Sequence, residues 1–342
     1  MSTQVVGLDL GAYAFKAVVG SWKGKTFQIE QAIEQPNPLG TVFPANPQQR
    51  AELIKAVQSF FEQNKLPTRG IRASIPEAIV VTKIISMPQL SEAELASAIH
   101  WQVEQHIPIP LEELQYEYSI LRQHNDPQNK TMDILIIGVQ KQMVQSLADL
   151  FVEAGLDVAD LETDTLAQLR VSEPLIVSPQ PVAFLHVGAQ NSTVSIIYEN
   201  TLSFVYSFSV AGFLFTRSIE QAIHLDPARS EEYKRSFGLL PGKAEGKVRQ
   251  ALQPVVQSVV SETQKAFHYF TSQYAGQAIS RLYVSGGSLY LPDLLPFLSQ
   301  ALTVEVLPMR LAEMKQLSWK AVPPQESRFI TALGLALKKD TN

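Results

Sequence analysis

One pattern occurs twice in this chain. Val5–Leu10 and Phe15–Val19 are short apolar runs joined through Gly11, Ala12, Tyr13 and Ala14, and Val182–Val187 and Thr193–Tyr198 form a second such pair around Gly188. Apolar runs joined by a glycine-bearing turn predict a β-hairpin. The two segments align as Asp9-Leu10-Gly11-Ala12-Tyr13-Ala14-Phe15-Lys16 with His186-Val187-Gly188-Ala189-Gln190-Asn191-Ser192-Thr193. A hairpin opening each half of a chain is what an internally duplicated fold shows, although a match this short also arises by chance. The 342 residues, 45% of them hydrophobic, supply the core such a fold needs and exclude a disordered or fibrous chain. At roughly 100–200 residues per domain they leave room for two or three domains.

Composition removes several function classes. Lys and Arg number 28 against 33 Asp and Glu, a net charge of -5, so nothing draws a phosphate backbone by charge alone and nucleic acid is not an expected partner. There is no cysteine, which rules out disulfides and thiolate metal sites, and six scattered histidines leave little for zinc. Met1–Leu10 has no secretion-signal pattern. Ile134–Val139, among the most apolar runs, is far shorter than the roughly 18–20 residues of a bilayer span. The expectation is a cytoplasmic protein with no direct membrane insertion.

Between the hairpins, a strand at Phe27–Ala32 and a proline-rich loop to Pro47 precede a helix over Gln48–Asn64 with Leu53, Ile54, Val57, Phe60 and Phe61 on one face. Strands at Ile71–Ile75 and Ile79–Ile85 follow, then a helix opened by a Ser91–Glu94 capping box with Leu95, Ile99, Val103 and Ile107 at four-residue spacing. Strands at Tyr116–Leu121 and Met132–Val139 and a helix from Met143 to Gly155 complete a β, α, β, β, α unit over about residues 76–157. Pro174, Pro179 and Pro181 mark a linker. After the second hairpin come a long helix, Lys247–Tyr274, a strand, Arg281–Val284, and a last helix, Ser327–Lys338.

Three glycine turns follow apolar strands: Asp9-Leu10-Gly11, His186-Val187-Gly188 and Ser285-Gly286-Gly287-Ser288. Glycine lets the main chain come close, so two such turns facing each other across a cleft can aim amides at phosphates while the third underlies a purine. Ordinary tight turns ending core strands account for each one separately. Asp9 at the end of the first strand suits a hydrated Mg²⁺, or simply caps its turn. Lys16 suits a phosphate as a point charge, or is a solvated strand lysine.

With these turns the sequence resembles the actin-like ATPase superfamily, an α/β fold of two lobes. Lys83-Ile84-Ile85-Ser86-Met87-Pro88, Glu104-Gln105-His106-Ile107-Pro108, Ala154-Gly155-Leu156-Asp157-Val158 and Phe329-Ile330-Thr331-Ala332-Leu333-Gly334-Leu335-Ala336-Leu337 are similar to the type IV pilus assembly protein PilM family, related to FtsA. The resemblance covers residues 4 to 338. It implies a first lobe of residues 1–82 and 158–180, an inserted βαββα subdomain at 83–157 like the FtsA 1C or SHS2 unit, a second lobe at 181–328, and a C-terminal helix, 329–342, returning to the first lobe. It implies ATP with Mg²⁺ at Asp9, held by Asp9, Gly11, Ala12, Tyr13 and Lys16 on one side and Gly188, Ala189 and Gln190 on the other. Gly286, Gly287 and Ser288 form its adenosine segment. Glu231 and Lys234 match the superfamily's adenosine-contacting Ala-Glu-x-x-Lys element, although an ordinary i,i+3 surface pair has the same spacing. The implied partner is the cytoplasmic N-terminal tail of a PilN-like single-span membrane protein, with other pilus platform proteins and self-association beside it. That places the protein at the inner membrane through a partner.

Two departures bear on chemistry. His186 stands where the family has an aspartate, and Ala12-Tyr13-Ala14 replaces small hydroxylated residues. Hydrolysis needs accurate placement of metal and water, so these changes point to binding without turnover, or to no nucleotide, and no catalytic residue is assigned. An FtsA-like cell-division filament protein and a small-molecule kinase on the same fold are the alternatives. The first is expected to carry an amphipathic anchor beyond Leu337, where this chain stops at Asn342. The second needs an aspartate base beside the substrate hydroxyl, and none is nominated: Asp157, Asp160 and Asp164 are present but sit where the insert returns.

Overall fold

The N-terminal hairpin forms where its pattern predicts. In the computed structural model, which describes residues 4–125, 130–176, 180–274 and 276–339, β1 (Val5–Leu10) pairs antiparallel with β2 (Ala14–Lys23), and β2 with β3 (Thr26–Pro36). Pro179 of the expected linker and Asn342 lie outside the described residues. Helix α1 (Pro47–Asn64) starts where the Asn46 side chain accepts from the Gln49 amide with proline in the first turn, and buries Leu53, Val57, Phe60 and Phe61. β4 (Ile71–Ile75) then runs parallel to β1.

A short turn at Glu77–Ile79 leads into β5 (Val80–Pro88), α2 (Glu92–His106), β6 (Leu114–Asn125) and β7 (Lys130–Gln140). These form a sheet of their own, ordered β5-β7-β6, with α2 on one face. The capping box is present: Glu94 Oε2 accepts from the Ser91 amide at 3.0 Å and its hydroxyl at 2.7 Å. The apolar run in β7 reads continuously because both faces are covered. Ile134 and Ile136 pack under α2, while Leu135 joins a cluster containing Ile197 and Leu202 of the second half. Helix α3 (Lys141–Glu153), with which the β, α, β, β, α order ends, packs Leu147, Leu150 and Phe151 in one cluster with Leu53, Val57 and Phe60 of α1. It is the crossover that returns the chain to β8 (Val158–Thr163), parallel to β4, and α4 (Asp164–Ser172).

The second half comprises β9 (Val182–Val187), β10 (Ser192–Tyr198), β11 (Thr201–Phe208), α5 (Gly212–Ile223), α6 (Pro227–Phe237), α7 (Lys247–Gln273), β12 (Arg281–Ser285), α8 (Leu294–Leu302) and β13 (Glu305–Pro308). Its sheet is ordered β11-β10-β9-β12-β13, the first β3-β2-β1-β4-β8, with β14 (Leu317–Trp319) added beside β3. In both, two antiparallel ladders are followed by two parallel ones. The duplication seen in two hairpins therefore extends across both sheets. Helix α9 (Ile330–Leu337) packs on β1 and α4. A Cβ at Gly334 would lie 1.9 Å from the Ala167 carbonyl oxygen, so only glycine fits there. Among the described residues no helix is long and apolar enough to cross a membrane.

Candidate functional site

Both hairpin loops are built alike and tied down from behind. The Gly11 amide donates to the Ala14 carbonyl at 3.2 Å, and the side chain and amide of Asn37, just after β3, bind the Gly11 and Tyr13 carbonyls at 3.2 and 3.0 Å. In the second loop the Gly188 amide donates to the Asn191 carbonyl at 3.0 Å, and the Gly212 and Phe213 amides that open α5 donate to the Gly188 and Ala189 carbonyls at 3.0 and 2.8 Å. Among the described residues the amides of Ala12, Tyr13, Ala189 and Gln190 have no acceptor within the protein. The third turn joins them because β12 runs parallel to β9 with Ser285 opposite His186. Gly286 there has φ 91°, and a Cβ would come within 2.5 Å of the Val187 carbonyl oxygen.

The loops enclose a cleft of about 220 Å³ between the lobes. Asp9, Gly11, Ala12, Tyr13 and Lys16 line one wall, Gly188, Ala189 and Gln190 the facing one, and Gly286, Gly287, Ser288, Glu231 and Lys234 the remainder, so all thirteen residues singled out from the sequence border one space. Glu77, Asp164, Arg235 and Arg328 also line it and were not singled out as site residues. Arg235 carries a spacing signal, four residues after Glu231 on α6, whereas Glu77, Asp164 and Arg328 arrive from separate segments that only the folded crossovers bring together.

Charge in the cleft is paired rather than free. Asp9 and Lys16 face each other across the hairpin and form an ion pair at 2.9 Å. The sequence reading gave them separate tasks, a cation and a phosphate; here each is the other's counterion. Glu231 and Lys234 pair at 2.5 Å with side chains 22% and 12% exposed, and both bind the Thr216 hydroxyl, at 2.6 and 2.8 Å. This is a shielded pair fastened to α5, unlike an i,i+3 pair in solvent. At Glu231 burial opposes ionisation, but Lys234, Thr216 and Arg235 together hold its pKa below the ordinary value; at Lys234 burial prevails and lowers it.

The floor of the cleft favours neutral groups. Burial, countered by Asp9 and reinforced by Lys16, lowers the His186 pKa to about 4, and its Nδ1 lies 3.1 Å from the Ser285 hydroxyl. The ring is therefore uncharged at neutral pH. Burial, then the charges of Asp9 and Glu77, raise Asp164 well above the usual carboxyl range. Burial likewise raises Glu77, whose carboxylate accepts from Thr165 at 2.6 Å and, across the lobes, from Ser207 at 3.2 Å. Among the described residues no group of three or more His, Asp or Glu is placed to hold a bare metal ion.

Several solved structures share this fold. One from a PilM-PilN type IV pilus biogenesis complex is 21% identical, with 98% of each chain covered and a TM-score of 0.84. The ethanolamine utilization protein EutJ from Carboxydothermus hydrogenoformans is 13% identical over 98% of this chain and 90% of its own, at a TM-score of 0.60. MreB5 of Spiroplasma citri, bound to AMPPNP, is 11% identical over 98% and 95%, at 0.54. Identities this low speak for the fold alone, which is the actin-like ATPase fold. The sequence itself decides the family: residues 7–340 match the profile of the type IV pilus assembly protein PilM, and the chain belongs to that family.

Proposed function

We propose that this protein is a cytoplasmic adaptor of the pilus inner-membrane platform that holds a nucleotide between its lobes with little or no hydrolysis and takes the N-terminal tail of a PilN-like membrane protein beside the inserted unit at 83–157. The observation that carries the nucleotide half is the pair of facing loops with four unpartnered amides, the type of donor that cradles phosphate oxygens. Membership of the PilM family carries the other half, since PilN accompanies PilM in the related complex.

The residues present fit ATP. The loop amides take the phosphates, Lys16 adds a point charge, Gly286 lets the chain pass under the base, and Glu231 and Lys234 face the sugar side. Mg²⁺, when bound, supplies countercharge to the phosphates, and Asp9 is the carboxylate that reaches its water shell, as a cation keeping several waters requires. Hydrolysis lacks support on the second loop, where neutral His186 is bonded to Ser285 and offers no carboxylate to orient metal or water.

Calorimetric titration with Mg-ATP and with the PilN tail peptide tests both halves, with phosphate release measured alongside. Binding of each without phosphate release above a protein-free blank is expected. Sustained release abolished by Asp9→Ala would refute the low-turnover reading, and absence of nucleotide binding at millimolar concentration would refute the cleft assignment. Photo-crosslinks from the peptide confined to the second lobe would refute the seam beside the insert.

A further inference from the structure

At the tip of the first loop Tyr13 offers its amide to the cleft, but its side chain does nothing that phosphate binding requires. Its ring centroid lies 5.3 Å from the Arg235 guanidinium and 5.5 Å from that of Arg328, its hydroxyl meets Arg235 Nη2, and the Phe213 ring stands 6.4 Å away. Tyr13 belongs to the first lobe, whereas Arg235 sits on α6 and Phe213 on α5 of the second. Every partner is itself held. Glu231 grips Arg235 at 2.9 Å, Glu34 of β3 grips Arg328 at 2.5 Å, and Asn37 fixes the loop that carries the ring.

We propose that Tyr13 is a clasp that fastens the two lobes across the rim of the cleft and must release before a nucleotide passes between the loops. The release step rests on the nucleotide reading above; the clasp does not. Arg328, 14% exposed and anchored to the first lobe, orients the ring, and Arg235, 52% exposed, supplies the link to the second lobe. A guanidinium over an aromatic ring gains as water is excluded, so closing the rim strengthens the contacts that close it. A second contact near the rim, Gln190 Nε2 to the Gly40 carbonyl, is long at 3.4 Å. On the floor, the Ser207–Glu77 bond holds the lobes together from within. Opening at the rim with the floor intact is thus the motion Tyr13 restrains.

Because the chain has no cysteine, the test needs only two substitutions for spin labels, Glu52→Cys on α1 and Glu232→Cys on α6, both exposed. Tyr13→Ala in the ligand-free protein is expected to lengthen and broaden the interlobe distance, and Tyr13→Phe, which loses only the hydroxyl bond, to do so less. Association of a fluorescent ATP analogue is expected to accelerate about tenfold in Tyr13→Ala, as the binding-competent open fraction grows. An unchanged distance distribution in Tyr13→Ala, with native circular dichroism, overturns the clasp. Open lobes with an unchanged association rate overturn the release step. Open lobes without nucleotide binding in any variant uphold the clasp and remove the nucleotide reading instead.

Discussion

Replacing His186 by asparagine should make the protein more resistant to acid. The imidazole is shielded beside Lys16, so its pKa falls from about 6.5 in an unfolded chain to about 4 in the native one. A depressed native pKa means that the unfolded chain binds the proton first. The stability tied to neutral His186 is complete above pH 6.5 and is lost as pH falls towards 4. For these two values the loss between pH 7 and 4.5 is roughly 2–3 kcal/mol. Asparagine keeps a polar atom near Nδ1 for Ser285, which that nitrogen meets at 3.1 Å, and cannot take up the proton. Urea unfolding of both proteins at pH 7 and 4.5 gives the difference directly, and NMR titration of the His186 ring gives its native pKa. Equal acid losses in the two proteins, or a ring that titrates near 6.5, would refute the reasoning.

Other sites give independent checks. Asp164→Asn should stabilise the protein at pH 8: burial raises the native pKa, so wild-type stability falls as pH rises above the unfolded carboxyl value, and the variant should show a flatter profile in pH-dependent thermal unfolding. Gly334→Ala places a methyl 1.9 Å from the Ala167 carbonyl oxygen, backbone that cannot move aside, and should cost above about 3 kcal/mol or abolish soluble expression; a near-native urea midpoint would contradict the α4–α9 packing. Gly286→Ala combines φ 91° with a 2.5 Å approach to the Val187 oxygen, and nucleotide affinity measured by fluorescence should fall at least about tenfold with a loss of about 1–3 kcal/mol in stability.

Strands carrying apolar runs were legible in the sequence, and those whose buried polar groups are satisfied by distant partners were not. β1, β2, β9 and β10 advertise themselves because each carries a run of apolar residues and the turns carry glycine. β8 reads Val-Ala-Asp-Leu-Glu-Thr, yet Glu162 is buried: Arg170 of α4 binds it through two 2.7 Å contacts, and nothing in the local pattern announces that pair. Helix α4 hides for the same reason. Its buried Gln168 and Ser172 look like surface residues until Thr331 accepts from Gln168 at 3.0 Å and Ser172 donates back to the Gln168 carbonyl at 2.8 Å, so no apolar stripe marks the segment before Pro174 as a helix.

The site divides along the same line. Glycine turns are local, and the sequence shows them whole. In the sequence Asp164 is only one of three aspartates near the point where the insert returns. Yet parallel pairing of β1 with β4 and of β4 with β8 makes all three strands end at one edge of the sheet, so the residue after β8 lands in the cleft with Asp9. Position along the chain misleads here because a parallel sheet gathers strand ends separated by a whole inserted unit. Tyr13 shows the converse. The sequence exposed it as a bulky intruder in a phosphate turn, but its partners, Arg235 and Arg328, lie more than 200 residues away, so what reads as a loss of hydroxyl donors in one dimension is a lobe-to-lobe contact in three.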